Sequence, residues 1–418
     1  MPFRALRPHK QFIKEVASLP YDVVSYEEAK QIVGDNPLNF LHVEKSEIDL
    51  PPDIAAHDQR IYATARENLE KLLREGILFQ EKKPCFYIYS QEMNGHRQYG
   101  IVGGISVAEY ESGKIKKHEL TRTDKELDRV RHIGTVNAHT GPVFITYRMR
   151  PAIDRLVEEA TKEAPEYGFN AGDGVYHTVW TVGDEEKIDA IIEEFAAIDS
   201  IYIADGHHRA AAAVAVARMR RASNPPPPDV EHENMMAVLF PHAQLRIMDY
   251  NRVVRDLYGL NEADFLRKCR ERFLLSDDFY EKSPRRLHEM GMYLGGKWYR
   301  LVVEKGACDE SDPVGRLDVA ILQELLLAPI LGIHDARTNK RIEFVGGIRG
   351  MGELEKLVDS GDFAVAFALY PPTIEHLMEV SDTGRIMPPK STWFEPKLRS
   401  GIFVHLLESE HESDCRCG

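Results

Sequence analysis

The stretch "IYIADGHHRAAAAVAVARMR" at 201–220 constrains this chain more than any other. It begins with apolar β-branched and aromatic residues and ends alanine-rich. A buried strand must therefore pass into a helix within Asp205-Gly206-His207-His208-Arg209. Gly206 permits a backbone turn that a β-carbon would hinder. The polar residues then fall at a helix start, where unpaired N–H groups and the positive end of the helix dipole suit an anion. Arg209 adds a planar fork of donors matched to phosphate oxygens. His207 and His208 offer imidazoles that donate to phosphate or move protons near neutral pH. Asp205 suits a hydroxyl or the metal ion carried in by a nucleotide. The plain alternative is a capping aspartate with two loop histidines. Zinc is a third reading, but adjacent histidines diverge in an extended segment and no cysteine or histidine set completes a familiar spacing, so no resident metal is expected.

A chain of 418 residues, 43% apolar, exceeds what one core usually serves, so two or three domains are expected. Its 53 basic and 67 acidic side chains give a net charge of -14, with the acidic excess spread along the chain. Nucleic-acid binders carry a basic face, so that class of partner is not expected. The opening "MPFRALRPHK" has no apolar segment behind it, and no apolar run reaches the length of a membrane span. A soluble, unexported, cytoplasmic protein without a membrane partner is the expectation. Cys85, Cys269, Cys308, Cys415 and Cys417 are odd in number and scattered, which suits a reducing compartment rather than a disulfide framework. The terminal "CRCG" supplies two thiols, half a soft-metal site at best.

Local patterns predict a mixed architecture. A helix is expected over 64–76, with Ala65, Leu69, Leu72 and Leu73 at helical spacing and Gly76 as its stop. Two β-rich runs, "PCFYIYSQEM" and "HRQYGIVGGISV", joined through Asn94-Gly95, read as a hairpin. Short strands are expected at 143–147, 175–182 and 235–240. Between them "DEEKIDAIIEEFAAI" reads as an amphipathic helix with Ile188, Ile191, Ile192 and Phe195 on one face. The prolines of 224–233 belong in a surface loop. Further on, a strand pair around "MYLGGKWYRLVVE", a helix over 316–331, a strand at 363–369 and a helix over 373–382 follow. Without a βαβ rhythm, α+β is favoured over a doubly wound sheet.

Two more segments carry chemistry. In "KIKKHELTRTDK", His118-Glu119 lacks the second histidine of a metalloprotease because position 122 is arginine. What remains is Glu119 among Lys114, Lys116, Lys117 and Arg122, a positive field that favours an ionised carboxylate able to act as a base. In "RIMPPKSTWFEPKLRSG", Lys390, Ser391 and Thr392 follow two prolines, a stiffened phosphate grip without the glycines of a P-loop. For each, a solvated polar loop is the plain alternative. Gly100, Gly103 and Gly104 read as a strand with close backbone approach rather than a nucleotide loop.

In order along the chain, "PFRALRP", "LPYDVVSYEEA", "NPLNFLHV", "KKHELT", "YIADGHHRAAAA" and "MPPKSTWFEPKLRSG" carry a resemblance over nearly its whole length. The chain resembles a widespread bacterial and archaeal family catalogued as a domain of unknown function, number 1015, and marked by its DGHHR signature. That family is similar in its core to the archaeal free L-serine kinase and to the ParB/sulfiredoxin-like fold. The resemblance implies a ParB/serine-kinase-like core at 113–245, preceded by an N-terminal α+β region at 1–112. A large α+β insertion at 246–370 and a C-terminal segment at 371–418, returning PPKST to the core, would follow. It also implies a free amino-acid kinase that moves phosphate from ATP or ADP, with Mg2+, to L-serine or a similar hydroxy amino acid. Glu119 would be the base, with Asp205, His207 and His208 completing the catalytic set. Gly206, Arg209, Lys390, Ser391, Thr392 and His118 would hold the nucleotide. Sulfiredoxin-type thiol attack is excluded, because the cysteine it needs two residues before the arginine is here His207. The competing classes are a non-catalytic nucleotide-binding regulator of ParB-like type and a metal-dependent hydrolase.

Overall fold

The computed structural model describes residues 1–223 and 231–407. The "CRCG" tail and most of the proline-rich loop lie outside them. Where the sequence suggests four segments, the chain groups into two compact units. One comprises 1–116, 121–245 and the residues from 396 onward; the other comprises 117–120 and 246–395. Strands of the N-terminal region and the strand that ends in the DGHHR segment share one sheet.

The sheet of the first unit has eight strands: β1 (Phe86–Met93), β2 (His96–Ser106), β3 (Ile115–Lys116), β4 (Val143–Tyr147), β5 (Tyr167–Asn170), β6 (Tyr176–Val182), β7 (Ile201–Asp205) and β8 (Asn234–Pro241). Their order across the sheet is β3-β7-β4-β8-β2-β1-β6-β5. The expected hairpin is β1–β2, and Asn94 and Gly95 take φ of 52° and 73° as its tight turn requires. Pairing is mixed: β8 runs antiparallel to β2 and parallel to β4. Every residue of β8 is buried, as a central strand covered on both faces demands. A β-carbon at Gly100 would lie 2.5 Å from Val238 Cγ1, so the glycines of β2 do serve close approach between strands.

Helices α1 (Gln59–Arg74), α2 (Thr123–Val136), α3 (Pro151–Ala160), α4 (Glu185–Ala196) and α5 (His207–Ser223) belong to this unit. Helix α1 starts ahead of the expected 64–76 because the Asp58 side chain caps it by accepting from Arg60 N–H. In α4 Ile191 is buried and Ile188 and Phe195 are partly covered, but Ile192 is 42% exposed, so the apolar face is narrower than its pattern suggests. Helix α5 is buried on two sides. Ala210, Ala213, Val214 and Ala217 meet the sheet core, while Ala212 and Val216 meet Ile133 of α2. Small side chains all round permit this double packing.

The second unit has a fully antiparallel sheet of six strands: β9 (Tyr250–Val254), β10 (Phe273–Ser276), β11 (Glu289–Leu294), β12 (Lys297–Val303), β13 (Ile342–Gly346) and β14 (Val365–Leu369), in the order β10-β12-β11-β14-β9-β13. Helices α6 (Glu262–Arg270), α7 (Asp318–Leu322), α8 (Met351–Asp359) and α9 (Ile374–Asp382) accompany it. The helix expected over 316–331 holds α-geometry only in α7 and then widens into a π-turn at Gln323–Leu327. Val253, Tyr293, Leu354, Phe363 and Ala366 form this unit's own core. Among the described residues, no helix is long and apolar enough to cross a membrane.

Candidate functional site

In the first unit the DGHHR residues sit at the junction their sequence implies. Strand β7 ends on Asp205, and Gly206 follows with φ of +89°. The Gly206 carbonyl accepts the first helical bond of α5, from Ala210 N–H at 3.0 Å. A β-carbon on Gly206 would lie 3.2 Å from Arg209 Cζ, so both the backbone and its neighbour call for glycine. Asp205 Oδ1 accepts from Gly206 N–H at 2.7 Å, and Oδ2 accepts from Lys397 Nζ at 2.9 Å. Lys397 is itself held by its carbonyl, which accepts from Gln91 of β1 at 2.9 Å. Burial alone would raise the Asp205 carboxyl, but the ammonium of Lys397 and the guanidinium of Arg209 outweigh it and keep the group ionised.

Arg209, expected to grip phosphate, is also tied into the fold. Its Nη1 donates to the Pro142 carbonyl and its Nη2 to Asp22 at 3.2 Å. The side chain is 9% exposed. A fork engaged at both tips ties the N-terminal segment and the turn before β4 to the start of α5. His208 Nε2 accepts the Arg122 backbone N–H at 3.0 Å, so only its Nδ1 is left to carry a proton in the neutral ring. His207 is buried. Behind Arg209 a small cavity is lined by Tyr21, Glu44, Arg129, Thr140 and Gly141. Arg129 pairs with Asp128 at 2.7 Å and lies 3.9 Å over the Tyr21 ring.

The second unit gathers the other expected residues. His118 Nε2 lies 3.2 Å from Thr392 Oγ1, and the His118 carbonyl accepts from Met387 N–H at 2.9 Å. The His118-Glu119 segment is thereby fastened to the PPKST loop, across 274 positions. Within that loop Ser391 Oγ donates to the Pro388 carbonyl at 2.6 Å, and Lys390 holds φ of +56°. Arg252 of β9 braces it, donating to the Lys390 carbonyl at 3.0 Å and the Pro389 carbonyl at 3.3 Å. Burial pushes the Arg252 guanidinium down to about 10, still charged at neutral pH. Lys390 Nζ is 5.7 Å from the centre of the Tyr250 ring.

A family profile described as "Protein of unknown function (DUF1015)" matches residues 1–320. The chain belongs to this DUF1015 family. Among curated proteins no match was found. Solved structures with partial similarity include free serine kinase in complex with AMP, 13% identical over 70% of this chain and 86% of that one, TM-score 0.35. SbnI with a C-terminal truncation from Staphylococcus aureus is 12% identical over 74% and 90%, TM-score 0.40. A conserved hypothetical protein from Pyrococcus furiosus is 13% identical over 73% and 95%, TM-score 0.36.

In this DUF1015 member the sequence reading missed Lys397, Asp22 and Arg252. Lys397 stands in the quoted terminal segment, but nothing local distinguishes it from Lys390 as a charge partner. Asp22 lies in "LPYDVV", also quoted, where an aspartate looks like any turn residue. Arg252 carries no signal beyond being a charge inside a strand pattern, which is itself a mark of a buried contact.

Proposed function

We propose that this protein is a free amino-acid kinase, transferring phosphate from ATP or ADP, with Mg2+, to the hydroxyl of L-serine to give O-phosphoserine. The observation that carries the reading is the ionised Asp205, held by Lys397 at the mouth of α5. A fixed carboxylate, a fixed ammonium and a helix start together suit a magnesium polyphosphate better than they suit a mere cap. The serine Oγ attacks the terminal phosphorus, its proton passes to Glu119, and the bond to the nucleotide's bridging oxygen breaks. Phosphoryl transfer asks mainly for positioning and charge neutralisation. Asp205 places the magnesium or the hydroxyl, and His207 with the Nδ1 of His208 donates to phosphate oxygens. Gly206 allows the close backbone approach, while Lys390, Ser391, Thr392 and His118 serve the nucleotide. Arg209 acts as a positioning residue for the α5 start. The roles of Glu119 and of the PPKST loop rest on the sequence resemblance.

The test is a panel of free amino acids incubated with ATP or ADP and magnesium, followed by phosphorus NMR. The expected result is O-phosphoserine from L-serine. Nucleotide binding without phosphorylation of any amino acid would favour the regulatory reading, and neither binding nor transfer would remove both.

A further inference from the structure

In the second unit, the loop joining β12 to α7 brings Cys308 and Glu310 against His288, which stands just before β11. The ligand atoms of these three residues lie within 4.8 Å of one another. His288 Nδ1 is 3.4 Å from Glu310 Oε1, and Cys308 Sγ is 3.8 Å from the same oxygen. Zinc bonds of about 2.0–2.3 Å to nitrogen, oxygen and sulfur place neighbouring corners of a tetrahedron about 3.3–3.6 Å apart. The observed spacings are close to those edges.

The surroundings prepare the ring. His288 Nε2 is 3.1 Å from the Arg316 carbonyl, which can only accept, so Nε2 carries a proton and Nδ1 is the atom turned to the other two residues. This is how metal-binding imidazoles are usually oriented. The His288 backbone, with φ of +66°, donates its N–H to Asp318 Oδ1 at 2.8 Å. Asp318 is 2% exposed, and its Oδ2 is buried with no hydrogen-bond partner. Asp318 Oδ2 is thus a buried, unsatisfied oxygen on the carboxylate that holds the His288 backbone, a cost that positive charge bound nearby would relieve.

We propose that His288 Nδ1, Cys308 Sγ and Glu310 form a binding site for a borderline-soft divalent ion, zinc foremost, with the fourth position taken by water. This revises the expectation of no resident metal and gives Cys308 a role that its isolated place in the sequence did not reveal. The mixed donor set excludes magnesium and calcium, which take oxygen ligands. Binding releases the thiol proton and fastens the loop to β11.

The probe is cobalt(II), added to metal-free full-length protein and followed by absorption, with zinc used in competition. One cobalt per chain is expected, showing thiolate charge-transfer and tetrahedral visible bands that zinc abolishes. Cys308→Ser should lose the charge-transfer band, and His288→Gln should weaken binding by about 10-fold or more. Should either variant fail to fold, Glu310→Gln alters an exposed side chain and should still weaken binding by about 10-fold. The pair Cys415→Ser with Cys417→Ser should leave the signal intact. Absence of the bands, or bands that survive Cys308→Ser and vanish in the tail variant, would overturn the proposal.

Discussion

The proton in the proposed transfer goes to one atom, a carboxylate oxygen of Glu119. Glu119→Gln preserves size and hydrogen bonding but removes basicity, so turnover should fall by about 10²-fold or more. Nucleotide affinity, measured by calorimetry, should stay within about twofold, because the proposed phosphate contacts are made elsewhere. Unchanged turnover would take Glu119 out of the mechanism. Residue types at this scale were readable: Asp205, Gly206, His207 and His208 stand at a strand end and helix start, as their order implies. Partners were not. Arg209 gained Asp22 and Pro142 at its tips, and Asp205 gained Lys397 from 192 positions away.

At the level of elements, the β5–β6–β1 edge contains a pH-sensitive contact. His177 of β6 stacks between Phe169 of β5 and Tyr89 of β1, with ring centroids 5.2 Å and 5.8 Å away, and its Nδ1 is 2.7 Å from the Tyr89 hydroxyl. Burial, with Arg399 adding to it, pushes this imidazole down to about 3. The unfolded ring titrates near about 6.5, so between these values the unfolded chain binds the extra proton. The stability contributed by neutral His177 is therefore complete above about pH 6.5 and is lost as pH falls towards 3, at about 1.4 kcal/mol per pH unit. His177→Phe keeps the stack and should remove that increment from the slope of unfolding free energy between about pH 6 and pH 4, measured with urea. An unchanged slope would place the acid sensitivity in other groups. Strand β6 itself was legible as the strand expected at 175–182. Its burial between β1 and β5 was not, because β5 is too short to announce itself.

For the whole molecule, two cores imply two cooperative transitions. Leu354 is fully buried in the core of the second unit, so Leu354→Ala should cost that unit about 2–5 kcal/mol. Trp180 lies in the first unit and Trp298 and Trp393 in the second. With single-tryptophan proteins in urea, the midpoint seen by Trp298 should drop while that seen by Trp180 stays in place; a common shift would mean one transition. The sequence by itself determined the α+β class, the Asn94-Gly95 hairpin and the strand-to-helix turn at Gly206, since each follows from the periodicity, turn chemistry or backbone freedom of consecutive residues. Only the tertiary structure decided the division into two units, the pairing of Lys397 with Asp205, the bracing of the PPKST loop by Arg252 and the meeting of His288 with Cys308. Those depend on which distant segments the sheet order makes neighbours, and a charge or a thiol looks the same along the chain whether or not its partner will arrive.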